Sequence, residues 1–232
     1  MRIAILGDLH GNLPATLAME KALEGLHIDE IWFLGDAVGK GPQSRETCDW
    51  VRAHCARFVG GNWDYGVSAK QFPADVYYWD QLGPERLEWL SALPREMEAT
   101  VSGVRFRLFH GRPVTELIHA YSDKAVMEQT FTAHGTTYGG VIFADSHQPF
   151  LRALNVGYIV NTGSVGNNLA VPKAHALILE GEMDSETPAP LQMSILSVPY
   201  DNEAAVAAAM ADDRLPYRDA YVRELRTGIY SR

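Results

Sequence analysis

The sequence predicts an α/β fold built on parallel strands. Three short apolar runs, RIAIL (2–6), EIWFL (30–34) and ARFVGGN (56–62), alternate with stretches of helical spacing. Parallel strands need a crossover of a dozen residues or more, and strand–helix–strand–helix–strand at this interval supplies two of them. The composition agrees: 47% apolar and 21% charged residues in a chain of 232 suffice for a full core in one ordinary soluble α/β domain. The whole span 1–232 reads as a single domain, with a helical, aromatic-rich insertion at about 66–98.

RIAIL stops at Gly7. Asn12 is placed to cap the following helix, Pro14 is tolerated in its first turn, and Leu13, Leu17, Leu23 and Leu26 give it an inward stripe. EIWFL ends at Gly35-Asp36. Residues 44–55 read as a helix, and 56–62 as a third strand ending at a glycine pair. The stretch 66–98 holds Tyr77, Tyr78, Trp79 and Trp89, with a helix from Pro84 to Leu93 closed by Pro94. VRFRLFHG (104–111) returns to strand, and 112–138 is less regular, with a helix near 122–130. VIFAD (141–145), GYIVNTGSVGN (157–167), AHALILE (174–180) and LQMSILSVPY (191–200) read as strands, and helices near 202–211 and 217–227 follow.

A formal net charge of −9 disfavours a protein that coats nucleic acid by charge alone. It leaves room for a local basic groove, or for an anionic substrate held through metal ions. Cys48 and Cys55 lie seven apart in TCDWVRAHC, nearly two turns of a helix and too far for a disulfide. Two reduced thiols fit a cytoplasmic protein. MRIAILGDLHGN is not expected to be a signal peptide, because polar and acidic residues follow its short apolar run. No run approaches the roughly 20 apolar residues of a membrane helix.

The functional signal lies in where the polar residues fall. Successive strand ends carry Asp8 and His10, then Asp36, then Asn62 and Asp64, then His110, then Asp145 and His147. Ligands of open α/β sheets bind beyond the carboxyl ends of the strands, so the early strands bring these groups to one rim. In an extended VIFADSH, Asp145 and His147 would point the same way. Carboxylates, imidazoles and one amide carbonyl form a mixed oxygen and nitrogen set, suited to manganese, iron, zinc or nickel better than to calcium. Even without Asp64, seven such groups exceed what one ion needs, and two ions about 3.5–4 Å apart can hold a phosphate for in-line attack.

GDLHGN (7–12), GDAVGKGP (35–42), GNWD (61–64), HG (110–111) and SHQP (146–149) resemble, in order and spacing, the motifs of the calcineurin-like metallophosphoesterases. NTGSVGN (161–167) and the ending VPYDNEAAVAAA are similar to the small bacterial and archaeal phosphodiesterase branch, and the resemblance spans nearly the whole chain. It implies a four-layer α/β/β/α sandwich of two mixed sheets flanked by helices. It implies two divalent metal ions, manganese first among the choices. Asp8, His10 and His147 would hold the first ion, Asp36 would bridge, and Asn62 and His110 would hold the second. Hydrolysis of phosphodiesters, or of phosphomonoesters, would proceed by attack of a metal-bridging hydroxide. The substrate would be a small phosphoester or a nucleotide.

Two departures from the family pattern matter. Asp145 stands where a second-metal histidine is expected in Gly-His-Thr-His. It is read as a ligand, with contact through water as the alternative. Trp63 replaces the histidine that helps protonate the leaving group, and an indole cannot act as general acid. His119 and His134 are the spare candidates for that proton. Asp64 is read as orienting a neighbour. Arg112 either holds a phosphate oxygen or sits at the surface. Gly163-Ser164 either presents N–H groups to an anion or forms an ordinary turn. Tyr77, Tyr78 and Trp79 are read as a local aromatic cluster, His175 as structural, and RDAYVRELR as a solvated helix face. The rival from another class is a degenerate scaffold of the same fold. A homo-oligomer is left open, with 66–98 serving as a lid or a dimer contact.

Overall fold

A strand buried on both faces must be apolar at every position, and alternate side chains must enter different cores. The first strand does this. Ile3 and Ile5 enter one core with Trp32 and Leu34, while Ala4 and Leu6 enter another with Phe33. The computed structural model describes residues 1–111 and 117–231. It assigns these two cores to the space between two sheets and to the space between the first sheet and its helices.

The elements run β1 (Arg2–Leu6), α1 (Leu13–Glu24), β2 (Glu30–Leu34), α2 (Ser44–His54), β3 (Arg57–Val59), α3 (Asn62–Ser68), a 3₁₀ turn (Pro73–Asp75), α4 (Val76–Ser91), β4 (Glu96–Val101) and β5 (Val104–Phe109). They continue as α5 (Lys124–Gln129), β6 (Thr132–Ala133), β7 (Thr136–Thr137), β8 (Gly140–Phe143), β9 (Phe150–Leu154), β10 (Gly157–Asn161), β11 (Ala174–Glu180), β12 (Gln192–Val198), α6 (Asn202–Met210) and α7 (Arg218–Thr227).

One sheet has the order β12-β11-β1-β2-β3 and the other β4-β5-β8-β10-β9. Each is mixed. β1, β2 and β3 are parallel, as are β5, β8 and β10, and the remaining neighbours pair antiparallel. The inter-sheet core adds Phe106, Leu108, Ile142 and Val160 from the second sheet. Met127 of α5, with Ile118 and Phe131, covers that sheet's outer face. The result is the expected α/β/β/α layering, with a thick helical layer over the first sheet and a thin one over the second.

Several local expectations change. The third strand ends at Val59, because Gly61 caps α3 and the Asp64 carboxylate accepts the Gly61 N–H at 2.9 Å. The helix expected from Pro84 is the second half of α4, whose first half begins at Val76 and bends at Gly83 (φ 66°). The strand expected over 157–167 ends at Asn161. β4 and β9 are edge strands with one buried face, so EMEATV and FLRAL carry no continuous apolar run to be read. β8 ends at Phe143, before Asp145, so strand alternation does not aim Asp145 and His147. Both sit in a turn with left-handed backbone, φ 61° and 57°. RDAYVRELR is only partly solvated, since Tyr221, Val222, Glu224 and Leu225 of α7 are buried. Cys48 and Cys55 are free and buried, and Asn12 caps α1 by accepting the Ala15 N–H at 3.1 Å.

Candidate metal centre

Asp8 and His10 follow β1, Asp36 follows β2, and Asn62 with Asp64 opens α3 just after β3. His110 follows β5, and Asp145 with His147 follows β8. The carboxyl ends of parallel strands from both sheets therefore meet at one place. Asp8, His10, Asp36, Asp145 and His147 all have positive φ, between 45° and 61°. Such backbone costs a non-glycine residue about 1–2 kcal/mol, least for Asp, Asn and His. Five such residues at one site mark turns kept for what they position. Backbone bonds lace the loops together: Asp8 N–H to Gly35 O at 2.8 Å, His10 N–H to Asp36 O at 3.1 Å, Ala144 N–H to His110 O at 2.7 Å.

The side chains form two trios. Asp8, His10 and His147 make one; Asp8, Asp36 and His110 make the other. Asp8 Oδ1 lies 3.2 Å from His147 Nε2, 3.5 Å from His10 Nε2 and 3.9 Å from His110 Nε2. Asp36 Oδ2 lies 3.3 Å from His110 Nε2 and 3.6 Å from His10 Nε2. Two carboxylates, Asp8 as well as Asp36, thus stand between the two imidazole poles. Asn62 Oδ1 is 3.1 Å from His110 Nε2. Asp145 is at the margin, outside both trios, with Oδ1 3.8 Å from His110 Nε2 and its N–H donated to Asp8 Oδ2 at 3.1 Å.

The imidazoles share one orientation. Nδ1 of His10 faces Val38 O at 3.2 Å, Nδ1 of His110 faces Leu34 O at 2.6 Å, and Nδ1 of His147 faces Asn167 O at 2.6 Å. A carbonyl can only accept, so Nδ1 carries a proton in each, and a ring in its neutral form then turns an Nε2 lone pair inward, as metal-binding histidines do. Asp8 Oδ1 is buried without a hydrogen bond, an uncompensated position for a carboxylate oxygen unless a cation reaches it. The donor set and this orphaned oxygen fit a divalent metal.

Electrostatics divides the cluster. Burial pushes the His10 imidazole down to about 4. Burial also opposes charge on His110, but Asp36, Asp8 and Asp145 outweigh it and hold that imidazole well above its usual value. Asp8 stays well below the usual carboxylate range in spite of burial, because His147, His10 and His110 surround it. Asp36 is lowered chiefly by His110 against its own burial. Burial raises the Asp145 carboxyl. Burial, then Asp36, pushes the Asp64 carboxyl up to about 7. Against that, Asp64 accepts the N–H groups of Asp36 (2.7 Å), Gly61 (2.9 Å) and Ala37 (3.0 Å), so its work is to fix the loop that presents Asp36.

Trp63 donates its backbone N–H to Asp36 Oδ1 at 2.8 Å. Its ring meets His10 edge-on at 5.9 Å and Tyr78 at 6.1 Å. A Cβ on Gly39 would fall 2.1 Å from that ring, so the bare glycine and the indole fit only together. Tyr77 and Tyr78 are buried behind it and pack edge-on against each other, two of the three rings of the expected local cluster, while Trp79 is half-buried with Lys70 over its ring. His119 stacks on Tyr121 at 4.9 Å and lines the cleft that holds Asp36, Asp145 and His147. His134 pairs with Glu96 at 2.7 Å beside a neighbouring cleft that reaches His110. His175 is buried between Asn168 and Ser197 as a structural histidine. The Gly163, Val165 and Gly166 N–H groups are donated to Asn161, Gly7 and Asp8, so this segment braces the Asp8 loop instead of forming an anion nest. Arg112 lies outside the described residues.

Sequence reasoning passed over Lys40 and Glu224. Lys40 is buried at the cleft, 2.6 Å from Asn167 Oδ1 and 3.4 Å from Glu224 Oε2. The local signal was there, a lysine four residues after Asp36 inside GDAVGKGP. Its partner, 184 positions away, had none.

Fold and cluster together define a two-sheet α/β protein organised around buried acid and imidazole side chains that could hold metal ions. Residues 1–184 match the calcineurin-like phosphoesterase superfamily domain, and the chain belongs to that superfamily. It is 29% identical to an uncharacterized protein of Methanocaldococcus jannaschii over 240 residues, 92% of this chain and 93% of that protein. A metallophosphoesterase from Sphaerobacter thermophilus has a similar structure, with a TM-score of 0.76 at 26% identity over 99% of each chain. A more local likeness, 38% identity over 72 residues, links it to a symmetrical bis(5'-nucleosyl)-tetraphosphatase of Psychromonas ingrahamii, covering 30% of this chain and 26% of that protein. Among the described residues no helix is long and apolar enough to cross a membrane.

Proposed function

We propose that this chain hydrolyses phosphoesters with two divalent ions, and that it prefers diesters to monoesters. One observation carries the reading: two acid–imidazole trios share Asp8, and its buried Oδ1 makes no hydrogen bond. Asp8, His10 and His147 would hold one ion. Asp36, Asn62 and His110 would hold the other, with Asp145 completing that side and Asp8 or Asp36 between the two. The ions, manganese first among the candidates, would supply an activated water and neutralise charge on the phosphoryl oxygens. The chain's own residues do the rest. Val38, Leu34 and Asn167 orient the three imidazoles, and Asp64 fixes the Asp36 loop. Arg112 is assigned to a phosphoryl oxygen.

The diester preference rests on Trp63. The indole N–H beside Asn62 can donate a hydrogen bond but is too weak an acid to protonate a poor leaving group. His119 lines the same cleft as Asn62 and Trp63 and is taken as the first of the two spare acids. The local likeness to a bis(5'-nucleosyl)-tetraphosphatase supports chemistry at phosphorus.

The test is manganese-dependent hydrolysis of a chromogenic aryl phosphodiester, with the matching monoester and Asp36→Asn in parallel. Diester turnover that exceeds monoester turnover and is lost in Asp36→Asn is the expected result. Well-folded protein with no turnover on any of several divalent metals would overturn it in favour of a scaffold.

A further inference from the structure

Lysine and glutamate are almost never fully buried unless they are paired. Lys40 and Glu224 are both buried, and Glu224 Oε2 lies 3.4 Å from Lys40 Nζ. Lys40 also lines the cleft of about 600 Å³ that opens over Asp36, Asn62, Asp145 and His147. The protein therefore brings an ammonium to the wall of its metal cleft and sets a carboxylate against it.

Both groups are tied to the metal centre by short chains of hydrogen bonds. Asn167 connects Lys40 to His147: its side-chain Oδ1 accepts from Lys40 Nζ at 2.6 Å, and its backbone carbonyl faces His147 Nδ1 at 2.6 Å. Gly41, the next residue after Lys40, donates its N–H to the His10 carbonyl at 2.9 Å. Glu224 comes from α7 and is only 1% exposed, turned inward with Tyr221 and Leu225. Its second oxygen, Oε1, accepts the Ser231 N–H at 3.1 Å, beside Gly228, Ile229 and Tyr230 on the cleft wall. One carboxylate thus meets the lysine with one oxygen and the segment that walls the cleft with the other.

Charge decides what this pair does to a ligand. A phosphodiester carries one negative charge, whereas a phosphomonoester or inorganic phosphate carries nearly two above neutral pH. A lysine is a compact point charge and favours the more highly charged of the two. We propose that Glu224 is a specificity-determining residue that acts through Lys40: it offsets the lysine's charge at the cleft, so that the site favours a singly charged phosphodiester over a doubly charged phosphate group. The identity of the ligand rests on the phosphoesterase reading; the cause of the preference rests on the ion pair. Trp63 bears on the leaving group's proton and Glu224 on the charge that is bound, so the two contributions separate by mutation.

Calorimetric titration of the manganese-loaded protein with inorganic phosphate and with dimethyl phosphate, at about pH 8, tests it. Glu224→Gln removes one negative charge beside Lys40 and keeps an oxygen that can accept from Lys40 and from the Ser231 N–H. One added charge interaction in a partly solvated cleft is worth roughly tenfold in affinity. Glu224→Gln is therefore expected to raise the affinity for phosphate relative to dimethyl phosphate about tenfold. Lys40→Gln should lower that ratio by about as much, and serves as the opposing arm where Glu224→Gln does not fold. The double variant Lys40→Gln/Glu224→Gln removes both charges and should return the ratio to that of the parent protein. A ratio unmoved in a folded single variant would overturn the proposal and leave the pair as a brace for α7. So would a double variant that shifts as far as Glu224→Gln, or no phosphate binding by any of these proteins. Turnover of aryl mono- and diesters by the same variants separates the two readings. A shifted binding ratio without turnover would sustain the role of Glu224 and sink the phosphoesterase reading; turnover with an unmoved ratio would do the reverse.

Discussion

The two poles of the metal cluster are built differently. His10 and His147 lie on loops braced by the 161–168 segment, and with Asp8 they are all buried. In the other pole His110 is flanked by three carboxylates, Asp36, Asp8 and Asp145, and by the Asn62 amide. There the family's expected histidine is the aspartate that stands off at 3.8 Å from His110. Burial holds the first pole's His10 imidazole low, while the surrounding carboxylates hold the second pole's His110 high. The difference teaches that an imidazole's readiness for metal depends on its neighbours. A neutral ring offers its lone pair at once, whereas a protonated one must first lose a proton.

Asp8→Asn would break both poles together, because Asp8 belongs to both trios. We expect turnover to fall about a thousandfold or more and elemental analysis to find neither ion retained. His147→Ala should cost one ion only. Retention of one ion by Asp8→Asn would show that the poles do not depend on a shared carboxylate.

Lys40→Met comes next. It would leave Glu224 buried without its cation, a loss of about 3–5 kcal/mol in stability measured by urea unfolding. Adding Glu224→Leu should restore much of that, since the unpaired charge is then gone. A single variant as stable as the parent protein would remove Lys40 from the framework of the cleft.

Asp145→His would make the second pole resemble the first. Imidazole suits zinc, and carboxylate suits manganese. The second ion's preference is therefore expected to move towards zinc by about tenfold, read by competitive metal titration. An unmoved preference would show that Asp145 does not touch the ion.

The smallest effect concerns pH in the metal-free protein. His110 is raised above its unfolded value, so its contribution to stability is complete below about pH 6.5 and declines as pH climbs towards its folded value. Asp8 and Asp36 are lowered, so theirs is complete above about pH 4 and declines on acidification. The melting temperature should peak between these limits and fall a few degrees on either side, at about 2–4 °C per kcal/mol. Saturating metal should remove the alkaline decline, because a bound ion takes the proton's place.

The interior strands were legible because burial on both faces leaves continuous apolar runs such as RIAIL and AHALILE. Edge strands β4 and β9 were not, since one open face admits polar residues and erases the run. Asp8, His10, Asp36, Asn62, His110, Asp145 and His147 could be picked out because each stands at a strand end beside its own turn, a local pattern. Their arrangement was not local. Only the packed structure decided that Asp8 serves both trios, that Asp145 stands apart, and that Lys40 is neutralised by Glu224, 184 residues on. Residue type and short spacing determine which side chains can ligate and where turns fall. Which atoms come within reach depends on the register of two sheets and on left-handed turns held by distant hydrogen bonds, and those exist only once the chain has closed on itself.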